Sequence, residues 1–211
     1  HPQGGLIVDT HTAAGAAAGT NAPGTSGSAQ LEQLRAGLPD YARDLKLNLG
    51  SVLGTGGAPG LSERQIWAAA LAAAIASRNV PFTRALEAAA SERLDAAYLT
   101  AARAAAAIMG MNNIYYRFLH LVEDPEYQHM PARLRMNVLA DPGIDRSDFE
   151  LLSLAVSAVN GCGLCIRSHE QQLRSHGATR EAIQSAVRIA AVVHAVAGVL
   201  EYHSPPAAAG T

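Results

Sequence analysis

The stretch FELLSLAVSAVNGCGLCIRSHE, Phe149 to Glu170, decides how the rest of the chain is read. It holds both cysteines of the protein, Cys162 and Cys165, in a C-x-x-C spacing. His169 follows four residues after the second cysteine, and Glu150 stands twelve before the first. Ser147-Asp148-Phe149-Glu150 reads as a capping box opening a helix that ends near Asn160-Gly161. Cys162 begins the next helix, which Gly177 closes as the residue after its C-cap. If the chain reverses at Gly161, the two helices form an antiparallel hairpin. Cys165 and His169 then share a helix face, and the two cysteine Cα atoms lie roughly 5 Å apart, within the span of a disulfide. Glu150 sits about 16 Å from the reversal and His169 about 12 Å, a mismatch of about 4 Å that side chains can bridge, through a water if needed. The spatial order becomes Glu150, His169, Cys165, with Cys162 beyond: a carboxylate orienting a histidine that takes a thiol proton. Both sulfurs occupy a first helical turn, where free N–H groups and the helix dipole favour the thiolate.

Outward from this hairpin, Ala, Leu, Glu and Arg dominate, and Val, Ile and Thr never alternate with polar residues over a strand's length. The composition predicts an all-α fold. Leu31 to Leu53 reads as one or two short helices broken near Pro39, followed by a glycine-rich loop from Gly54 to Gly60. Ser62-Glu63-Arg64-Gln65 is a capping box for a helix to about Ser77. Further helices are expected from Pro81 to about Arg93, from Ala96 to Met109, and after Asn112, with Asn112 and Asn113 as caps. Pro125 and Pro131 bracket a loop before a short helix, Ala132 to Leu139, and Asp141-Pro142-Gly143 is a turn. Thr179 caps a last long helix to about Tyr202, stopped by Ser204-Pro205-Pro206.

The two halves align at an offset of 85 residues, Ser62 on Ser147 and Gln65 on Glu150, which reads as an internal duplication with halves at about 62–110 and 147–195. In that register Cys162, Cys165 and His169 fall on Ser77, Val80 and Arg84, so the first half keeps the scaffold without the chemistry and one site per chain is expected. Residues 1–30 are mostly Gly, Ala, Ser, Thr and Pro, and Leu6-Ile7-Val8 is too short an apolar run for a signal peptide. They read as a flexible leader or an expression-vector remnant, with the helical domain over 31–204 and a disordered tail over 205–211.

The chain of 211 residues is long enough to bury about 70% of its unfolded surface. With 49% hydrophobic and 16% charged residues it is globular. A formal net charge of -2 gives no reason to expect nucleic acid, and no apolar run free of polar residues reaches the roughly 18 residues of a membrane span. Two cysteines within four residues, with none elsewhere, make no secreted disulfide framework, and the reading is cytoplasmic. A metal site is the rival in another functional class: Cys162, Cys165, His169 and His176 could hold zinc in a non-catalytic oligomeric binding protein. Four ligands in sequence on one helix cannot surround a metal tetrahedrally, so His194 or Glu150 would have to join. Trp67 and the Ile108, Met109 and Met111 cluster read as core, and Tyr115 and Tyr116 stay unassigned. No glycine-rich stretch follows a strand, so no phosphate loop is present.

IMGMNNIYYRF (Ile108 to Phe118), RLRMNVLADPGI (Arg133 to Ile144) and the E-x11-C-x-x-C-x3-H pattern resemble the alkyl hydroperoxidase D family of actinobacteria, within the carboxymuconolactone decarboxylase-like superfamily. The similarity covers about Leu31 to Tyr202, and the cysteine pair marks the redox branch. The resemblance implies an all-helical homotrimer with sites near subunit contacts, and a thiol-dependent antioxidant peroxidase with a redox-active Cys162–Cys165 disulfide. It implies Glu150, Cys162, Cys165 and His169 as the catalytic set, with no tightly bound cofactor. It also implies a peroxiredoxin partner, alkyl hydroperoxide reductase C, and dihydrolipoamide as electron donor on a lipoyl-bearing acyltransferase, kept reduced by lipoamide dehydrogenase and NADH. One departure stands out. The position before the second cysteine, a histidine in the best-known members, is Leu164 here. Of the two sulfurs, Cys165, with its i+4 histidine, is read as the attacking thiolate and Cys162 as the resolving one.

Overall fold

A computed structural model describes residues 26–203; the expectations for residues 1–25 and 204–211, including the Ser204-Pro205-Pro206 stop, lie outside the described residues. The described chain is all-α, with no strand among its residues. Its helices are α1 (Gly27–Ala36), α2 (Arg43–Val52), α3 (Glu63–Ser77), α4 (Val80–Ser91), α5 (Ala96–Val122), α6 (Pro125–His129), α7 (Arg146–Asn160), α8 (Gly163–Ser175) and α9 (Arg180–His203). Short 3-10 turns occupy Asp40–Ala42 and Asn137–Leu139. Helix α1 starts at Gly27, so the helical domain begins inside the stretch read as leader.

Helix α3 is the axis of the molecule. The Ser62–Gln65 capping box opens it as expected, both reciprocal bonds being present. Ile66, Trp67 and every residue from Ala68 to Ala74 are buried, as a helix apolar on all sides must be. It is enclosed by α4, α5, α7 and α9, and a run of alanines is what lets four neighbours approach one helix closely. Helix α9 has the length and mean hydropathy, 1.7, of a membrane span. It buries Ile183, Ala186, Ile189, Val193 and Val196 in the core, packed against α2, α3 and α7.

Three expectations are corrected. The break placed between Met109 and Asn112 is absent: α5 runs unbroken for 27 residues, about 40 Å, through Gly110. A lone glycine costs a helix about 1 kcal/mol, and the buried residues on either side, Met109, Asn112 and Asn113, hold the helix in place. Asn112 and Asn113 are therefore interior positions and cap nothing. Ala132 to Leu139 is not a helix: Arg133 has φ +52°, only Asn137–Leu139 forms a turn, and a short segment with little to bury is marginal as a helix. The capping box at Ser147 is likewise absent. Asp145 caps α7, its Oδ1 accepting from the N–H groups of Ser147 and Asp148, so the helix starts earlier and Glu150 is free of any capping role.

That shift alters the register between halves. Helices start at Glu63, Val80 and Ala96 and again at Arg146, Gly163 and Arg180, offsets of 83, 83 and 84 residues instead of 85. In this register Cys162 falls on Asn79, Cys165 on Phe82 and His169 on Leu86. Asn79 and Cys162 do the same work: each is an N-cap whose side chain accepts a backbone N–H three residues on.

Candidate active site

Helix α7 ends at Gly161, whose φ of +69° is the left-handed conformation glycine adopts without penalty. The Gly161 N–H bonds to the Ala158 carbonyl and the Cys162 N–H to the Ser157 carbonyl, the paired bonds of a Schellman motif. The chain reverses as expected, and α8 runs back along α7. A polar network fastens this corner to α5. Asn113 donates to Ser157 Oγ at 2.8 Å, Asn160 donates to Asn113 Oδ1 at 2.9 Å, and Arg117 donates to the Asn160 carbonyl at 2.7 Å. Asn113 and Ser157 are fully buried, so these bonds carry the register of α5 against α7.

Cys162 is the N-cap of α8, and Cys165 is its third residue. They form a disulfide with Cα atoms 5.3 Å apart, the separation expected of this spacing. Cys162 Sγ also accepts the Cys165 N–H at 3.3 Å, as a capping oxygen would. The two sulfurs are not equivalent. Cys162 is fully buried, whereas Cys165 is 7% exposed and lines a cavity of about 520 Å³.

Glu150 and His169 line the same cavity and meet directly, with no need for a bridging water. His169 Nδ1–H donates to Glu150 Oε2 at 2.6 Å. A carboxylate on Nδ1 fixes the tautomer that leaves Nε2 basic, and Nε2 has no partner among the described residues. Glu150, Cys165 and His169 thus converge on one cavity wall, and Cys162 lies behind Cys165 in the disulfide. Met109, Tyr116, Met136 and Leu139 face them, and Leu164 adds an apolar surface between the cysteines. Sequence reading passed over Tyr116 and Met136, because their place here depends on how α5 and the loop after α6 fold back. It read Asn112 only as a cap, whereas here it is a buried residue whose Oδ1 has no hydrogen-bond partner among the described residues.

His176 Nδ1 bonds back to the Gln172 carbonyl, His194 Nδ1 pairs with Ser77 Oγ, and both sulfurs are held in the disulfide. Among the described residues no three His, Cys, Asp or Glu side chains converge to hold an ion.

Known proteins are similar to this chain in sequence. The model of the carboxymuconolactone decarboxylase family matches residues 125–202, which span α6 to α9 and the whole Glu150 to His169 segment. A protein of Rhodospirillum centenum called alkyl hydroperoxide reductase AhpD is 59% identical over 171 residues, covering 81% of this chain and 90% of its own length. Proteins of the same name from Frankia alni and Streptomyces griseus are 58% and 53% identical over 171 residues, again 81% of this chain and 91% and 95% of theirs. The chain belongs to the AhpD family. Because the similarity to AhpD proteins runs along nearly their full length, it takes in the core helix α3 as well as the cysteine hairpin.

Proposed function

We propose that the protein is a thiol-dependent alkyl hydroperoxide reductase component, an antioxidant enzyme that works through the Cys162–Cys165 dithiol. One observation carries the reading. Of the two disulfide sulfurs, only Cys165 lines the cavity, and it shares that cavity with a histidine whose tautomer a carboxylate fixes. The name borne by the AhpD relatives supports it. In the reduced enzyme, His169 Nε2 accepts the Cys165 proton, and the thiolate attacks the terminal oxygen of ROOH. The O–O bond breaks, an S–O bond forms, and the alkoxide recovers the proton from His169 to leave as ROH. Cys162 then attacks the sulfenic acid, closing the disulfide and releasing water. Two electrons have passed from the dithiol to the peroxide.

Return of the electrons uses the same cavity-lining sulfur. A dihydrolipoamide thiolate, carried on a lipoyl-bearing acyltransferase and kept reduced by lipoamide dehydrogenase, attacks Cys165 and expels Cys162, and its second thiol resolves the mixed disulfide. The reduced dithiol can equally reduce a peroxiredoxin, alkyl hydroperoxide reductase C. The apolar Leu164 beside Cys165 favours that exchange, since no second imidazole stands there to pass protons. We place this chemistry in a homotrimer in the cytoplasm. We also read the two helix triplets as a duplicated unit, with one site per chain because Asn79, Phe82 and Leu86 stand where the second unit has Cys162, Cys165 and His169.

The test is anaerobic treatment of the reduced protein with cumene hydroperoxide, followed by dihydrolipoamide. The expected result is cumyl alcohol and protein disulfide in equal amounts, then recovery of both thiols. A reduced protein that leaves the peroxide unconsumed and exchanges with neither dihydrolipoamide nor a peroxiredoxin disulfide would overturn the reading.

A further inference from the structure

The cavity beside Cys165 has a floor and a rim of different character. Met109 and Asn112 are 2% and 4% exposed and form the floor with Cys165, while Ser168 and Gln172 at the rim are exposed. Asn112 is the anomaly of the floor. Its Oδ1 is buried without a partner, and its side chain enters no hydrogen bond among the described residues. Asn113, the next residue, has both ends of its amide engaged by Ser157 and Asn160. Ser153 Oγ, also buried and unpartnered, does not line the cavity. An unpaired buried carboxamide is destabilising, and native proteins keep few such groups. One retained at the floor of a cavity, beside the cavity-lining sulfur of a disulfide, is placed to meet a ligand.

We propose that Asn112 is the polar contact for the O–O group of an organic hydroperoxide seated over Cys165, the substrate's carbon skeleton lying against Met109, Tyr116, Met136 and Leu164. The proposal rests on the functional reading above and adds a substrate-binding residue to it. Asn112 Oδ1 accepts the O–H of the bound hydroperoxide, and its Nδ2–H donates to the oxygen that departs as alkoxide while Cys165 takes the terminal oxygen. Negative charge moves from sulfur to that leaving oxygen during the step, and a donor fixed at the floor stabilises it where it develops. The sulfur is oxidised to sulfenic acid, the peroxide is reduced to the alcohol, and His169 supplies the proton the alkoxide takes. The apolar walls complement the substrate's hydrocarbon part, and Asn112 supplies the hydrogen bond they cannot.

The test is rapid-quench oxidation of the pre-reduced full chain by cumene hydroperoxide and by hydrogen peroxide, in wild type, Asn112→Leu, Asn112→Ala and Asn112→Ser. Alkylation of Cys165 by methyl iodide, which has no hydrogen-bonding atom, is measured across pH in parallel. The expected result is a loss of roughly 100- to 1,000-fold in the peroxide rate for the Leu and Ala variants. Methyl iodide alkylation should keep its rate and pH profile within about twofold, and Asn112→Ser, which restores a hydroxyl donor, should recover part of the loss. If Asn112→Leu fails to fold, the Ala and Ser variants carry the comparison. Peroxide rates equal to wild type in a folded variant overturn the proposal, and so do methyl iodide rates that fall in step with them, since Asn112 would then act on the sulfur or the packing. A wild-type dithiol inert to both peroxides would instead remove the functional reading, a failure visible before any variant is made.

Discussion

Glu150 and His169 form a pair whose value lies in direction more than in strength. The carboxylate on Nδ1 holds the ring so that Nε2 is left for the cavity that Cys165 lines. A general base of this kind contributes about 10²–10⁴-fold. His169→Ala should therefore slow oxidation of the dithiol by peroxide within that range. Glu150→Gln, which keeps the shape and loses the charge, should slow it less. The double variant should be no slower than His169→Ala alone, because removing either member disables one unit. The pH profile of Cys165 alkylation should separate the sources of the thiolate. The helix terminus is worth about 0.3–1 kcal/mol, under one pKa unit. Loss of His169 should raise the Cys165 pKa by more than about one unit. An unchanged pKa would leave the helix terminus as the cause. Leu164 sharpens the comparison, since no histidine between the cysteines can substitute.

At the scale of helices, the N-terminal end of α7 is tied to the rest of the core through Asp148, which accepts from Tyr98 Oη–H of α5 and Gln65 Nε2 of α3. Burial, then the hydrogen bond to Asp148, hold the Tyr98 phenol above its ordinary value near 10, against the smaller opposing effect of Arg64. The folded state therefore keeps a proton that the unfolded chain gives up. Its contribution is intact below about pH 10 and fades as pH rises through the raised folded value. Tyr98→Phe should cost roughly 1–2 kcal/mol near pH 8. It should also flatten the loss of stability above about pH 10, as read from denaturant midpoints at both pH values. A wild-type midpoint that rises between those pH values would contradict the sign. Much of this level was legible in the sequence. Ser62 and Gln65 announce α3, Gly161 and Gly177 bound α8, and the C-x-x-C-x3-H spacing fixes Cys165 and His169 on one face. What was illegible depends on partners distant in the chain. Asp145 outcompetes Ser147 as a cap while Asp148 is held by Tyr98 and Gln65, and Asn113 is buried mid-helix by Ser157 and Asn160. Local pattern carries no trace of such bonds. The direct Glu150–His169 contact was foreseen to within a side chain's reach because helix rise alone sets it.

Across the whole molecule, the second half of α5 leaves a stripe uncovered. Ile114, Phe118 and Leu121 are spaced along one helix face and exposed, Leu121 by 71%, with Tyr127 of α6 against Phe118. Exposed apolar stripes of this kind mark contact surfaces, and here the stripe lies on the same helix as Asn112 and Tyr116 of the cavity. If the proposed trimer closes over it, Leu121→Glu should convert trimer to monomer in sedimentation velocity while leaving the helical spectrum unchanged. A variant that stays fully trimeric would place the contact elsewhere. Every function proposed for the molecule nevertheless passes through one sulfur. The most direct measurement uses Cys162→Ser, in which the sulfenic acid formed by cumene hydroperoxide cannot be resolved, trapped with dimedone and located by mass spectrometry. The adduct is predicted on Cys165, at one per chain, with no adduct in the reciprocal Cys165→Ser protein. An adduct on Cys162 in the Cys165→Ser protein, with Cys165 unmodified in the other, would contradict it.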